Sequence, residues 1–231
     1  INRVVADHLS ALLFTTEQAG SDNLLREGVA GEKIHFVGNC MADTLLKHAT
    51  VAVERSPWQG FGLAPNDYAL LTLHRPANVD DRAAFESLLA ALSSVTARLP
   101  LLFPVHPRTR ARLLEWKVPL PANLMLVEPQ PYLAFLGLMA RARVVLTDSG
   151  GVQQETTMLN VPCLTLRDTT ELPVTLLAGT NRLVGGDAAL IEACVQQILA
   201  GNWPTGQRPP LWDGQTGQRI VDVIQQWAAE R

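Results

Sequence analysis

Short runs of consecutive apolar residues alternate with segments of helical periodicity along nearly the whole chain. Continuous apolar runs of strand length are typical of strands that are buried on both faces of a sheet. Such runs occur at residues 11–15, 34–37, 68–73, 101–105, 124–127, 144–147 and 163–166. Repeated strand and helix units imply right-handed crossovers and a parallel sheet with helices on both faces. The pattern therefore predicts an α/β fold with a doubly wound parallel sheet.

The helical periodicity is clearest after Asp80, where one face carries Phe85, Leu88, Leu89, Leu92 and Val95. Residues 1–9 resemble the middle of an amphipathic helix, and the first residue is not methionine, so we expect the chain to begin inside a fold. Glycine and proline interrupt the periodicity at residues 54–66 and 201–217. We predict a surface connection at the first break and a final helix over residues 219–229 after the second.

The composition excludes several classes of protein. The chain has 231 residues, 47% of them hydrophobic, and a net charge of −3, which excludes a disordered chain and gives no basic patch for a nucleic acid. Three widely spaced cysteines, Cys40, Cys163 and Cys194, indicate buried thiols rather than a disulfide frame or a metal site. No apolar stretch approaches the roughly 18 residues of a membrane span, and no signal peptide opens the chain. We expect a cytoplasmic protein that binds neither nucleic acid nor membrane.

The first candidate site is the segment Thr147-Asp148-Ser149-Gly150-Gly151, which joins a predicted strand to a predicted helix. Ligands of parallel sheets bind beyond the carboxyl ends of the strands. Two glycines let a ligand approach the backbone, and the first amides of the helix favour an anion. The segment matches neither the Walker loop nor the dinucleotide glycine motif. A phosphate cradle and a plain turn capped by Ser149 are equally good interpretations of the spacing.

Glu155 lies one turn inside the same predicted helix. It could accept hydrogen bonds from both hydroxyls of a ribose, as acidic residues near phosphate loops do. A carboxylate near a helix N-terminus is also favourable without any ligand, and this residue alone favours that simpler interpretation.

Two other strand ends carry histidines. His74 and Arg75 follow the run at residues 68–73, and Pro76 prevents the strand from continuing. A cation and a histidine near a diphosphate can neutralise its charge and move a proton, and at a strand end we favour this role over a structural one. His106 occupies the same place after residues 101–105, but its flanking prolines also fit a rigid loop.

Aromatic and polar residues follow the remaining strands. Tyr132 and Phe135 come after residues 124–127; an aromatic ring there could stack on a base, although core packing is the commoner role. The segment from Arg167 to Glu171 follows residues 163–166 and carries donors and acceptors that suit a phosphate or sugar hydroxyls. Five polar clusters are thus predicted to converge on one crevice.

The ordered set of these motifs resembles bacterial non-hydrolysing UDP-N-acetylglucosamine 2-epimerases over essentially the whole chain. The matching segments are His74-Arg75-x-x-Asn78, Pro104-Val105-His106-Pro107, Pro129-Gln130-x-Tyr132-x-x-Phe135, Thr147-Asp148-Ser149-Gly150-Gly151-x-Gln153-x-Glu155, Arg167-Asp168-x-Thr170-Glu171, Gly179-Thr180-Asn181-x-Leu183-Val184-Gly185 and Asp213-Gly214. The resemblance implies half of a glycosyltransferase-B type fold, which consists of two Rossmann-like domains with the active site between them.

The resemblance also implies a role for each candidate residue. Ser149, Gly150 and Gly151 would hold the diphosphate, Glu155 the ribose and Phe135 the uracil region. His74 would be the catalytic residue of this chain, and Arg75, His106 and Arg167 would complete the UDP site. The family eliminates UDP, and then adds UDP back at C1 and a proton at C2 on the opposite face, which gives UDP-N-acetylmannosamine without a metal, nicotinamide or other cofactor.

The family's acid and base carboxylates lie in an amino-terminal domain, ahead of the position that matches Ile1. Residues 1–46 would be the tail of that domain, and residues 47–231 the UDP-binding domain, whose final helix crosses back. We therefore expect this chain to be inactive alone and the intact protein to be a homodimer.

Two departures from the family pattern leave the sugar open. Ala77 stands where many members have glutamate, and Leu172 stands where many have arginine. An epimerase of another UDP-acetamido sugar, such as a 2,3-diacetamido uronic acid, stays possible. The motifs are also compatible with the donor domain of a glycosyltransferase and with a UDP-binding module that catalyses nothing.

Overall fold

The computed structural model describes residues 1–230, in which parallel strands alternate with helices. The strands are β1 Leu13–Thr15, β2 Ile34–Phe36, β3 Ala69–Thr72, β4 Leu101–Pro104, β5 Leu124–Val127, β6 Val144–Thr147, β7 Cys163–Thr165 and β8 Asn181–Leu183. The helices are α1 Asn2–Leu9, α2 Gln18–Arg26, α3 Cys40–Glu54, α4 Pro76–Val79, α5 Arg82–Ala91, α6 Ser93–Thr96, α7 Pro107–Trp116, α8 Tyr132–Ala140, α9 Gly150–Leu159, α10 Pro173–Leu177, α11 Ala188–Leu199 and α12 Thr216–Ala229. Short 3-10 helices lie at Gly31–Lys33 and Pro57–Phe61.

The predicted α/β fold is confirmed, and each predicted apolar run contains a strand. Strand β8 was not predicted from its polar residues. The helix after Asp80 ends at Ala91 and a second helical segment follows it, although the whole predicted face from Phe85 to Val95 is buried. The connection at residues 54–66 is mainly at the surface, but its 3-10 helix buries Trp58.

The larger of two compact units consists of residues 48–207. Its parallel sheet has the strand order β5-β4-β3-β6-β7-β8. The chain winds outward from β3 to β5, returns to β6 beside β3, and then winds outward to β8. The order therefore reverses between β3 and β6, and such a switch point is where open α/β sheets bind ligands.

The core of this unit explains the strength of the apolar pattern. Residues of β3, β4 and β6 are almost completely buried between the helices. Helix α8 lies so close to its neighbours that a Cβ atom on Gly137 would collide with the backbone oxygen of Ala52 and lie 2.9 Å from Cγ of Pro57. The hydroxyl of the buried Tyr68 donates a hydrogen bond to the backbone oxygen of Leu138, at 2.5 Å. These contacts fix the position of α8, which carries two candidate site residues.

The smaller unit consists of residues 1–47 and 208–230. Strands β1 and β2 form a parallel pair, and the buried Trp212 donates from Nε1 to the backbone oxygen of Thr16, at 2.8 Å. Asp43 accepts hydrogen bonds from two backbone amides at the start of α12. Cys163 and Cys194 of the larger unit are buried as predicted, but Cys40 is exposed because it stands at the start of α3.

No helix among residues 1–230 combines the length and the apolar character that a membrane span requires.

Candidate functional site

A buried carboxylate joins the two strand ends at the switch point. Asp148 follows β6, and its side chain is fully buried. It accepts hydrogen bonds from the backbone amides of His74 and Arg75, at 3.1 and 2.9 Å, and from Nδ2 of Asn78, at 3.0 Å. Its Oδ1 lies 2.8 Å from Nδ1 of His74. A buried carboxylate needs such partners to offset the loss of its hydration, and the result is a rigid link between the loops after β3 and β6.

This link sets the orientation of the His74 ring. A carboxylate only accepts hydrogen bonds, so Nδ1 of His74 carries the hydrogen that lies between the two groups. The side chain of His74 is 55% exposed, and Nε2 is the ring nitrogen that remains for a ligand. A histidine held in this way can take or give a proton at one defined atom.

The glycine segment begins helix α9. Ser149 caps the helix, since its Oγ accepts from the amide of Val152 at 3.5 Å, and its own amide donates to Oγ1 of Thr147 at 2.9 Å. The first amides of a helix have no acceptor within the helix. Those of Gly150 and Gly151 therefore make this end of α9 suitable for an anion. The cap by Ser149 is confirmed, and the phosphate cradle stays a prediction.

Two arginines lie beside this helix end. Arg75 donates from Nε to the backbone oxygen of Asp148, at 3.0 Å, and its Nη2 lies 3.0 Å from Oε1 of Glu171. Nη2 of Arg167 lies 2.7 Å from the other carboxylate oxygen of Glu171. The hydrogen bond from Arg167 and the charges of both arginines lower the pKa of Glu171 to about 2. The carboxylate is therefore ionised at neutral pH, and the two arginines leave this group of three side chains with one net positive charge.

Glu155, the residue that is predicted to bind the ribose, lies in a more buried environment than Glu171. Glu155 is buried in α9, and burial raises its pKa. Tyr132, at the start of α8, lies near it; burial, followed by the nearby Glu155, raises the pKa of Tyr132 to about 12. Phe135 lies one turn further along α8 and is partly buried. The structure thus places an acceptor and two aromatic rings along α8 and α9.

Replacing Glu155 by glutamine is expected to stabilise the fold at neutral pH. The folded state raises the pKa of this carboxyl, so folding favours its protonated form, and the ionised form costs stability above the folded pKa. The cost disappears as the pH falls below the ordinary range of a glutamate. Urea unfolding should therefore give Glu155→Gln a higher free energy of unfolding than wild type at pH 7.5 and no such gain near pH 4. A lower free energy of unfolding for Glu155→Gln than for wild type at pH 7.5 would show that burial of the ionised carboxylate does not destabilise the fold.

His106 is positioned differently from the other candidates. It caps α7, with Nδ1 accepting from the amide of Arg108 at 3.3 Å, and it is exposed. Arg108 in turn forms an ion pair with Asp80 at 2.6 Å. The described hydrogen bonds connect His106 to its own loop, at the end of the strand next to β3. Its assignment to a UDP site stays a prediction.

Three residues have larger roles than their motifs indicate. The sequence motifs contain all three residues, but they assign no contact to Asp148 or Glu171 and only base stacking or core packing to Tyr132. Asp148 holds His74, Glu171 bridges two arginines, and Tyr132 contacts Glu155. The sequence shows that these residues follow strands β6, β7 and β5, respectively. It does not show in which direction each side chain points.

Comparisons with known proteins identify the family of this chain. The family model described as UDP-N-acetylglucosamine 2-epimerase matches residues 1–225. A UDP-N-acetylglucosamine 2-epimerase of Methanococcus maripaludis is 37% identical over 234 residues, which cover 96% of this chain and 63% of the relative. A UDP-2,3-diacetamido-2,3-dideoxy-D-glucuronate 2-epimerase of Pseudomonas aeruginosa is 38% identical, over 97% of this chain and 62% of the relative.

A solved structure is also similar. The crystal structure of the Methanocaldococcus jannaschii UDP-GlcNAc 2-epimerase in complex with UDP-GlcNAc and UDP has a TM-score of 0.87 and 37% sequence identity to this chain. The match covers 97% of this chain and 63% of that structure. The chain therefore spans slightly less than two thirds of the relatives that it matches. The fold, the ordered motifs and these similarities together show that the chain belongs to the UDP-N-acetylglucosamine 2-epimerase family.

Proposed function

We propose that this chain is the UDP-binding part of an enzyme that interconverts UDP-N-acetylglucosamine (UDP-GlcNAc) and UDP-N-acetylmannosamine. One observation carries the proposal: at the switch point of the sheet, a helix N-terminus, two arginines and an oriented histidine lie within one hydrogen-bonded cluster. A helix end with flanking arginines suits a diphosphate, and a neighbouring histidine suits proton transfer near it.

Each part of UDP has a proposed partner. The amides of Gly150 and Gly151, together with Arg75 and Arg167, hold the diphosphate, and Ser149 caps the helix that presents those amides. Glu155 accepts hydrogen bonds from the ribose hydroxyls. Two further partners, Phe135 near the uracil and His106 at the neighbouring strand end, complete the proposed site.

The reaction is proposed to proceed by elimination and re-addition. Loss of the proton at C2 and cleavage of the bond between C1 and the diphosphate oxygen give 2-acetamidoglucal and UDP. When both of its ring nitrogens are protonated, His74 can donate the proton on Nε2 to the departing diphosphate and take it back when UDP adds again at C1. A proton then reaches C2 on the opposite face. The mechanism requires no nicotinamide, because elimination and re-addition cause no net oxidation or reduction. The proposed arginines supply the positive charge that a departing diphosphate otherwise takes from a metal ion.

The remaining catalytic groups are proposed to come from the part of the relatives that this chain does not match. Residues 1–46 would be the tail of that domain, and residues 47–231 the UDP-binding domain. We further propose a cytoplasmic location, since the three cysteines are free thiols and thiols persist in reducing compartments. The proposal of a homodimer for the intact protein rests on the family resemblance alone.

The test uses the 231-residue chain. Calorimetry should show binding of UDP and weaker binding of ADP, because both ligands carry a diphosphate but ADP has adenine in place of uracil. Deuterium wash-in at C2 of UDP-GlcNAc should be absent, since acid and base steps each contribute a factor of about 10²–10⁴ and the carboxylates that supply them lie elsewhere in the family. Absence of UDP binding would refute the proposal. Deuterium exchange at C2 that is present in wild type and absent in His74→Ala would show that the catalytic base lies in this chain.

A sugar with an acidic substituent is the second candidate substrate. A cavity of about 280 Å³ beside the arginines is lined by Arg75, Ala77, Asn78, Arg167 and Gly186, among others. The small side chain of Ala77 leaves it open, and its arginines suit a carboxylate. The Pseudomonas aeruginosa relative is named for a diacetamido glucuronate. Tighter binding of a UDP-linked uronic acid than of UDP-GlcNAc would favour this substrate.

A further inference from the structure

The carboxylate of Glu171 bridges the two arginines of the proposed diphosphate site. Oε1 lies 3.0 Å from Nη2 of Arg75, and Oε2 lies 2.7 Å from Nη2 of Arg167. The same Oε1 would lie 3.0 Å from a Cβ atom on Gly150. One acidic side chain therefore contacts both cations and also lies against the first residue of α9.

Without an intervening anion, these cations would repel each other. Two guanidinium groups beside the positive end of a helix raise the local potential. Arg75 has a second anchor, because its Nε donates to the backbone oxygen of Asp148. For Arg167 the described partner is Glu171, and its Nη1 is buried without a hydrogen bond among residues 1–230. Arg167 thus depends most on the carboxylate for its position.

We propose that Glu171 is a positioning residue, which holds Arg75 and Arg167 in place to bind the diphosphate of the UDP-sugar. This inference rests on the function proposed above. The described hydrogen bonds of the Glu171 carboxylate run to the arginines, so the amides of Gly150 and Gly151 stay available to a phosphate. The carboxylate itself lies beside Gly150, but none of its described hydrogen bonds comes from the amide of Gly150 or Gly151.

A competing role for Glu171 predicts the opposite change in UDP affinity when its charge is removed. If Glu171 competed with the diphosphate for the arginines, its neutralisation would tighten UDP binding. If Glu171 positions the arginines, neutralisation releases Arg167 and weakens binding. Uridine, which has no phosphate, should be indifferent to the arginines in either case. A general collapse of the site would weaken uridine and UDP together.

The experiment measures the affinities of UDP and uridine for the 231-residue chain and for Glu171→Gln. We expect UDP to bind about tenfold more weakly to the variant, in line with the loss of charge-assisted hydrogen bonds, and uridine to bind unchanged. Glu86→Gln is the matched control, because Glu86 pairs with Arg82 at 2.8 Å over the same four-residue separation. Its UDP affinity should equal that of wild type.

Two further variants separate the possible causes. Glu171→Asp keeps the charge but shortens the side chain by one methylene. The carboxylate then cannot reach both arginines, and UDP should again bind more weakly. In an Arg167→Gln background, Glu171→Gln should have a smaller effect than in wild type, because the main group that it positions is gone. Unchanged or tighter UDP binding in Glu171→Gln, or an equal loss for uridine, would overturn the inference. Failure of wild type to bind UDP would instead refute the proposed function itself.

Discussion

Replacing Asp148 by asparagine is expected to lower the free energy of unfolding by at least about 3 kcal/mol. The buried carboxylate accepts from two backbone amides, from Asn78 and from His74. An asparagine amide replaces one acceptor oxygen with a donor group, which would then face other donors. Hydrogen bonds to a charged group contribute about 1.5–3 kcal/mol each, and buried donors left without an acceptor cost more. Urea unfolding at pH 7.5 measures the change.

A partly exposed aspartate provides the control for this substitution. Asp80 forms an ion pair with Arg108 at the surface, and such pairs contribute about 0–1 kcal/mol. Asp80→Asn should therefore change the free energy of unfolding only slightly. A loss below about 1 kcal/mol in Asp148→Asn would mean that the link between the loops after β3 and β6 is not a major source of stability.

The same substitution should alter the His74 ring. With Asp148 present, Nδ1 of His74 donates to a carboxylate, and Nε2 is left for the ligand. An asparagine amide can present its own N–H to Nδ1, which would move the ring hydrogen to Nε2. Nitrogen chemical shifts of the His74 ring report this change in tautomer separately from any loss of stability.

The fold was largely predictable because the strands of the larger unit are buried on both faces. Such strands consist of uninterrupted apolar residues, and β3, β4 and β6 are clear in the sequence for this reason. Strand β8 lies at the sheet edge and begins with Asn181 and Arg182, so it has no apolar run. The helix break at Leu92 depends on local backbone bonds to Leu88 and Leu89, which periodicity does not report.

The site was predictable only in its location. The rule that ligands bind at the carboxyl ends of parallel strands selected His74 and the glycine segment. It could not show that Asp148 points inward while the adjacent Ser149 caps the helix, since a loop has no fixed alternation of side-chain direction. Nor could it show that Glu171 bridges arginines from two different loops. Both features depend on tertiary contacts between segments more than 70 residues apart in the sequence.

Replacing Gly150 by valine is expected to weaken UDP binding by about 100-fold or more, far beyond the effect of Ser149→Ala. A Cβ atom at position 150 would lie 3.0 Å from Oε1 of Glu171 and 3.5 Å from Cδ1 of Leu172. The two methyl groups of valine would fill the space beside the helix end and displace the carboxylate from its arginines. Ser149→Ala removes one cap hydroxyl, which contributes about 1 kcal/mol. Calorimetric titration with UDP measures both variants.

Gly60→Val is the control for a valine introduced without a collision, because a Cβ atom at that position meets nothing within 4 Å. A second comparison separates two causes of the effect at Gly150. The Cβ of alanine reaches only the carboxylate of Glu171 at close range, so Gly150→Ala should resemble Glu171→Gln in its UDP affinity. Gly150→Val should reduce UDP affinity more than Gly150→Ala, because the methyl groups of valine also obstruct the approach of the diphosphate. Equal UDP affinity in wild type and Gly150→Val would exclude the start of α9 as the diphosphate site, since no diphosphate bound at those amides could avoid the added side chain.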